Sequence, residues 1–405
     1  MLPADTPETP AGLQAAAASA ASARTSTTPD EDLRREVISS VGGFRALRSD
    51  WTDLLAAGGA ASPFLTWEWL FAWWLHYGER RPGRELAIVT LRDRQRLAGV
   101  LPAYVKTSAR IVRTLRLLGS PHESSDDMDV PQRDPASDEV LPLLVAHARE
   151  SLSFDRICIG DVAADAAVVD RMRALARRQG WSLAVQCTHV CPYLPVAGSW
   201  DDYLASRSRG FRQALRRRTR RFMERSGARF DWVELASELP SALDDVFALH
   251  ARRFAGRRAR TRFVATRRGA FHREVSRIMF DAGALRLFRL RVDGRTVATL
   301  YCFEHGSRLH YYQGGIDPDW DRESVGTVLM GQVVKYAFDR KLSTFEFLRG
   351  VERYKFKWTD RARQLVRVDL GLSRRGRLLV GLAGAYGSIQ KVAPKPRWAG
   401  LNNPP

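Results

Sequence analysis

The chain has 405 residues, enough for two domains, and 45% of them are hydrophobic, which is ordinary for a protein with a sizeable core. Lys and Arg number 64 against 45 Asp and Glu, a formal net charge of +19, so the natural partners are anions: nucleic acid, membrane headgroups or phosphate-bearing cosubstrates. No apolar run reaches the roughly 18 residues that a membrane-spanning helix needs, and four scattered cysteines point to a reducing, cytoplasmic setting rather than a disulfide framework.

Residues 1–32 are rich in Ala, Ser, Thr and Pro and lack bulk, so they read as a disordered tail without the basic start of a secretory signal. The first folded region begins at Leu33. Phe44, Leu47, Trp51, Leu54 and Leu55 recur at helical spacing and predict a helix over 44–55. Thr66 is placed to cap a second helix, with Glu68 in its first turn and Trp67, Trp69, Phe71, Trp73 and Trp74 as its body. Those aromatics predict packing against a sheet rather than a ligand stack. Leu86–Leu91 and Leu97–Val105 read as two strands around the polar turn 92–96. A further apolar run ends at Gly119 and leads into the acidic, Ser-rich loop 121–129. In so basic a chain, Asp126 and Asp127 of that loop are candidates to receive an amino group of a substrate. A helix over 140–152, a strand over 154–159, a helix over 168–178 and a strand over 181–190 follow, and this interleaving predicts an α/β or α+β layer architecture. Cys187, His189 and Cys191 alternate through that last strand, so no metal is expected there.

Pro192 and Pro195 mark the expected boundary of a first domain, 33–194. Ser199 and Asp202 have the spacing of a capping box. The helix they open carries Leu204, Phe211, Leu215 and Phe222 on one face and a dense set of arginines on the other. A second arginine cluster spans 252–268. These clusters read as a solvated basic face, as phosphate ligands, or as a contact for RNA or an anionic membrane. Arg212 of the first cluster is a candidate substrate contact.

Phe271, Val275, Ile278 and Met279 predict a helix stopped by Gly283. Three strands follow, 284–292, 296–303 and 308–316, with Asp293-Gly294 as a strong hairpin turn. The meander leads through Arg322 and Ser324-Val325-Gly326-Thr327 into a helix, then a strand at 344–348. A helix start of this kind exposes several N–H groups and the positive end of the dipole, so it suits a pyrophosphate. Glu346, flanked by Phe345 and Phe347, is expected to have its pKa raised by desolvation, which suits a general base. A closing strand over 364–372 and a terminal helix within 376–405, before a loose Pro-rich end, complete the reading. That helix is too short to span a bilayer; packing and a peripheral membrane contact are its two options.

The helix-opening loop, the strand Phe345-Glu346-Phe347-Leu348 and the run Arg349-Gly350-Val351-Glu352-Arg353-Tyr354-Lys355 together resemble the C-terminal half of GNAT-type acyltransferases of the CelD/BioF2-like group, relatives of the Fem aminoacyl transferases. Pro63-Phe64, Trp67, Trp73-Trp74, Gly99-Val100-Leu101-Pro102 and Leu118-Gly119 ahead of Asp126-Asp127 extend the resemblance over roughly residues 44–370. It implies two tandem GNAT-like lobes, each a mixed sheet flanked by helices, with 195–375 as the donor-binding lobe. It implies acyl transfer from acetyl-CoA or another acyl-CoA to an amino group on a sugar or a cell-envelope or polysaccharide precursor. Under it Glu346 is the candidate base and Tyr354 the candidate acid for the leaving thiolate. Arg322, Ser324, Val325, Gly326 and Thr327 hold the donor, while Arg349 and Lys355 contact phosphate or an anionic acceptor. Two rivals stand beside it: a Fem-like transferase fed by aminoacyl-tRNA, and a non-catalytic module that binds nucleic acid or another anion on the same fold.

Overall fold

The computed structural model describes residues 33–60, 62–109, 111–120, 125–225, 227–254 and 266–390. The expected tail 1–32, residues 121–124 of the acidic loop, Arg257, Arg258, Arg260 and Arg262, and the end after Gln390 lie outside them.

The chain opens with β1 (Leu33–Ile38), α1 (Val41–Ala46), α2 (Arg48–Gly58) and α3 (Trp67–Trp73). The single helix expected over 44–55 is two helices that meet at Leu47, yet the predicted face of Phe44, Leu47, Trp51, Leu54 and Leu55 is buried throughout. Thr66 caps α3 by accepting from the Trp69 N–H. Next come β2 (Arg84–Leu86), β3 (Ile88–Asp93), β4 (Arg96–Leu101), β5 (Ala103–Ser108) and β6 (Val112–Leu117). The run expected as one strand over 97–105 breaks at Pro102, which has no N–H for a ladder; β4 goes to one sheet and β5 to another.

Then follow α4 (Val140–Ser151), β7 (Arg156–Ala163), α5 (Ala167–Gln179) and β8 (Ser182–Pro195). The long helix expected after Ser199 is α6 (Trp200–Ser206), opened by the capping box of Ser199 and Asp202, and α7 (Arg209–Met223), newly capped by Ser208. The remaining elements are β9 (Ala228–Trp232), α8 (Leu239–Phe254), α9 (Thr266–Asp281), β10 (Leu285–Val292), β11 (Arg295–His305), β12 (Arg308–Ile316), α10 (Val325–Asp339), β13 (Thr344–Glu346), β14 (Ala362–Gly371) and α11 (Arg374–Gln390).

Strands β1, β3 and β4 form a small antiparallel sheet. The other eleven form one mixed sheet in the order β2-β5-β6-β7-β14-β8-β13-β12-β11-β10-β9. The fold is therefore mixed α/β, a large sheet flanked by helices. Each half of the sheet contains one parallel pair, β6·β7 with α4 in the crossover and β12·β13 with α10 in the crossover. Parallel neighbours need such a crossover, and every other pair is antiparallel. The two halves also exchange their closing strands. β8, from the first half of the chain, has β14 and β13 as its neighbours, while β14, from the second, lies between β7 and β8.

The core crosses the junction in the same way. Trp69 of α3 is fully buried, with ring centroids 5.1 Å from Phe271 of α9 and 5.5 Å from Phe303 of β11. The aromatic helix thus packs against elements of the other half, and edge-to-face pairs of this kind add about 0.5–1.5 kcal/mol each beyond their buried area.

Candidate active site

The site begins where two parallel strands part. β12 and β13 pair only over Arg308–Thr344, Leu309–Phe345 and His310–Glu346. Beyond that point β12 runs on to Ile316, whereas the chain after Glu346 turns toward β8: the Phe347 N–H donates to Pro192 O at 3.0 Å and the Gly350 N–H to Val190 O at 2.9 Å. Leu348 (φ 54°) and Gly350 (φ 117°) make that turn with left-handed backbone. Lys355 braces it. Its buried ammonium donates to Arg349 O at 2.7 Å and Leu348 O at 3.3 Å and pairs with Glu352 at 3.0 Å.

A cavity of about 620 Å³ opens in the fork. Tyr311, Gly314 and Ile316 of β12 form one side, Tyr354, Lys357 and Trp358 the other, and α7 and the start of α10 close it. Ser324, Val325, Gly326 and Thr327 all line it. Ser324 occupies the N-cap of α10 in a left-handed conformation (φ 55°) without a side-chain capping bond, and among the described residues the Val325 and Gly326 N–H groups have no backbone acceptor. These are the unsatisfied donors of a 15-residue helix, aimed where an anion is best held. The loop ahead of them is anchored by Asp317, fully buried, which pairs with Arg252 at 2.7 Å and Arg295 at 2.8 Å. Gly326 serves packing as well, since a Cβ there would lie 2.4 Å from Ile316 Cδ1. Three cations, Arg218, Arg253 and Lys357, line the same cavity beside one acid, Asp321. The hydroxyls of Tyr354 and Tyr311 share a hydrogen bond in its wall, and burial pushes both phenols up, most strongly Tyr354.

Glu346 faces the other way. Its neighbours Phe345 and Phe347 pack into the core under α10, so strand alternation turns Glu346 to the opposite face of the sheet. There it is buried and accepts from Arg363 Nη2 at 2.9 Å, with Arg308 at 3.9 Å. Desolvation, offset in part by Arg363, raises its pKa to about 7. Asp127 accepts from the same two arginines, at 3.3 and 3.4 Å. Beside them Arg349 donates its N–H to Asp126 Oδ2 at 2.8 Å, grips Asp126 Oδ1 with its guanidinium and reaches Asp161 at 3.4 Å. Asp127 and Arg308 also line a second cavity, of about 220 Å³, with Asp129, whose pKa burial raises to about 6.

The residues singled out from sequence therefore fall into three groups. Ser324, Val325, Gly326, Thr327 and Tyr354 meet at the first cavity. Glu346, Asp126, Asp127 and Arg349 meet on the opposite face, where the two aspartates are held by arginines of the chain itself. Arg322 is exposed and does not line the cavity. Arg212 caps the preceding turn, donating to Ala205 O at 2.9 Å and Arg207 O at 2.6 Å, and Lys355 is spent on backbone carbonyls. Sequence reasoning did not separate Arg218 from its neighbours. The signal was present: Arg218 lies three residues after Leu215 and four before Phe222, on the apolar stripe of α7, whereas Arg216, Arg217, Arg220 and Arg221 are exposed. Arg308 and Arg363 carried no local signal. Among the described residues no group of His, Cys, Asp and Glu could hold a metal ion, and no helix is long and apolar enough to cross a membrane.

Residues 209–356, from the start of α7 to the turn after Tyr354, match the acetyltransferase (GNAT) domain family. Its fold is similar over most of its length to that of FemX, with a TM-score of 0.59 at 12% identity, covering 87% of this chain and 100% of FemX. A protein of unknown function from Bacteroides thetaiotaomicron VPI-5482 is similar at a TM-score of 0.51 and 12% identity, covering 80% of this chain and 97% of that one. The C-terminal domain (DUF2156) of a protein named for lysylphosphatidylglycerol synthetase, from Agrobacterium fabrum, is similar at a TM-score of 0.50 and 12% identity, covering 85% and 96%. At these identities the likeness is one of fold. No curated protein sequence matches the chain.

Proposed function

We propose that the chain is an acyl-CoA-dependent N-acyltransferase acting on an amino group of a sugar or a cell-envelope or polysaccharide precursor, as its resemblance to the CelD/BioF2-like group implies. The carrying observation is the fork of β12 and β13, with the free amides of Val325 and Gly326 and the cations Arg218 and Lys357 around one cavity. Those amides and cations hold the diphosphate of acetyl-CoA or another acyl-CoA. The unpaired edge of β12 past His310 offers backbone groups along which an amide-bearing arm lies as a strand would. The thioester then sits in the fork, reachable from the opposite face.

On that face Glu346, with a pKa near neutrality, takes the proton of the acceptor's ammonium. The freed amine attacks the thioester carbonyl, the C–N bond forms and the C–S bond breaks. Tyr354, whose raised pKa keeps it protonated, gives its proton to the departing thiolate and is restored by the second proton that the new amide nitrogen loses. Asp127, Asp129 and Arg308 in the smaller cavity orient the acceptor. An acyl-CoA panel against amino-sugar acceptors, read by released thiol, tests the reading. Thiol release that depends on acceptor supports it; no binding of acetyl-CoA at millimolar concentration by calorimetry overturns it.

The exposed arginines of α7 favour a second reading, a donor presented on tRNA, because Arg218 of the same helix enters the cavity. RNA that co-purifies and leaves in high salt would support it over the first.

A further inference from the structure

α11 is fixed in its rotation by a contact that only glycine allows. A Cβ on Gly376 would lie 2.0 Å from Asp155 O, and Ser373 ties the same corner by donating to Asp155 Oδ1 at 2.7 Å. Gly376 and Val380, one turn apart, therefore face inward, and both are buried. The opposite stripe faces out. Leu378 and Leu382, also one turn apart, are 66% and 61% exposed. Arg374, Arg375 and Arg377 are exposed in the first turn beside them; of the three, Arg375 lies near a carboxylate, that of Asp155. The sequence continues the theme: from Gly371 to Pro405 it holds no Asp or Glu, and Lys391, Lys395, Arg397 and Trp398 follow the helix.

Exposed leucines at i and i+4 are not needed for solubility, and among the described residues nothing covers them. Flanked by guanidinium groups, they offer a bilayer surface apolar contact and positive charge together. We propose that the outer face of α11 docks on an anionic lipid bilayer, its leucines entering the headgroup boundary and its arginines meeting lipid phosphates. Each arginine near such a surface is worth about a fivefold gain in binding. The two leucines together supply roughly tenfold or more. The proposal is independent of the acyl-transfer reading, because it uses no residue of either cavity.

The test is co-sedimentation of the full chain with vesicles of phosphatidylcholine alone and of equal parts phosphatidylcholine and phosphatidylglycerol, at low and high salt. Sedimentation with the anionic vesicles only, reversed by salt, is expected. The double variant Leu378→Ser, Leu382→Ser and the triple variant Arg374→Ser, Arg375→Ser, Arg377→Ser each lower vesicle affinity about tenfold or more. Both keep the wild-type melting curve, since these side chains are exposed. Three results overturn the proposal: wild-type protein that stays in the supernatant with anionic vesicles, variants that sediment like wild type, or a wild-type dimer in solution that the leucine variant converts to monomer. The last would make the face a contact between copies.

Discussion

Glu346 on β13 accepts a hydrogen bond from Arg363 on β14 at 2.9 Å, and both are held on the face of the sheet away from the 620 Å³ cavity. The carboxylate is buried enough that its pKa lies near 7 despite this partner. As a base it must be ionised, so kcat/KM is expected to rise with one proton's slope up to about pH 7 and level off above. Glu346→Gln removes that limb and lowers kcat on the order of 10²–10⁴-fold. Stability moves in the opposite sense. A folded-state pKa above the unfolded value favours folding fully at low pH, and that share is lost as pH rises through 7. The glutamine variant is therefore expected to be more stable than wild type at pH 8 and no more stable at pH 4, in urea titrations at each pH. A wild-type rate that is flat from pH 5 to 9 would remove Glu346 from the chemistry.

Asp126 and Arg349 join the two halves of the chain at a buried point. Removing one member of such a pair leaves the other charge unpaired, which costs about 3–5 kcal/mol. Asp126→Ala should therefore lower the urea midpoint steeply. Asp53→Ala is the control. It removes the partner of Arg133, but its side chain is 60% exposed, and such pairs are worth about 1 kcal/mol or less. Equal effects of the two substitutions would show that the Asp126 contact is not the joint described above.

At the donor cavity, Arg218→Ala is expected to raise the Kd for acetyl-CoA about tenfold, the scale of one lost charge-assisted phosphate contact. The neighbouring, exposed Arg217→Ala should leave it unchanged. The gap between wild type and Arg218→Ala should narrow as added salt screens the remaining field. Calorimetry at two salt concentrations decides it; an unchanged Kd in Arg218→Ala would move the anion elsewhere.

The exchanged strands make a prediction about folding. Residues 33–194 alone would leave β8 without either neighbour, and residues 195–375 alone would do the same to β14. Each half is expected to unfold without a cooperative transition, and the two produced together to form a one-to-one complex. A cooperative melt of residues 195–375 alone would show that the second half does not need the first.

Much of the local structure was legible because it is written in short-range physics. The Ser199–Asp202 capping box, the Asp293-Gly294 hairpin, the Gly283 stop and the buried stripe of Phe44 to Leu55 each depend on residues within a turn or two of one another. The helix start at Ser324–Thr327, proposed above to hold an anion, belongs to the same class, since a helix makes its own unsatisfied amides. The raised pKa of Glu346 was expected from its apolar neighbours, but Phe345 and Phe347 point to the other face, and the burial that desolvates it comes from segments far away in the chain.

Other features depend on segments far apart in the chain, and periodicity is blind to these. Sequence could place β14 as a closing strand but could not assign it to the other half, because strand pairing is set by which edges meet once both halves are packed. It offered Asp126 and Asp127 to a substrate amine; the folded chain brings Arg349, Arg308 and Arg363 to them from more than a hundred residues away. The amino-acid sequence by itself determined many of the elements, several of their buried faces and the position of the helix start at Ser324, since each follows from backbone hydrogen bonding and side-chain period. Only the tertiary structure decided that the cavity at the start of α10 and Glu346 lie on opposite faces of one fork, because that depends on where β12 and β13 stop pairing.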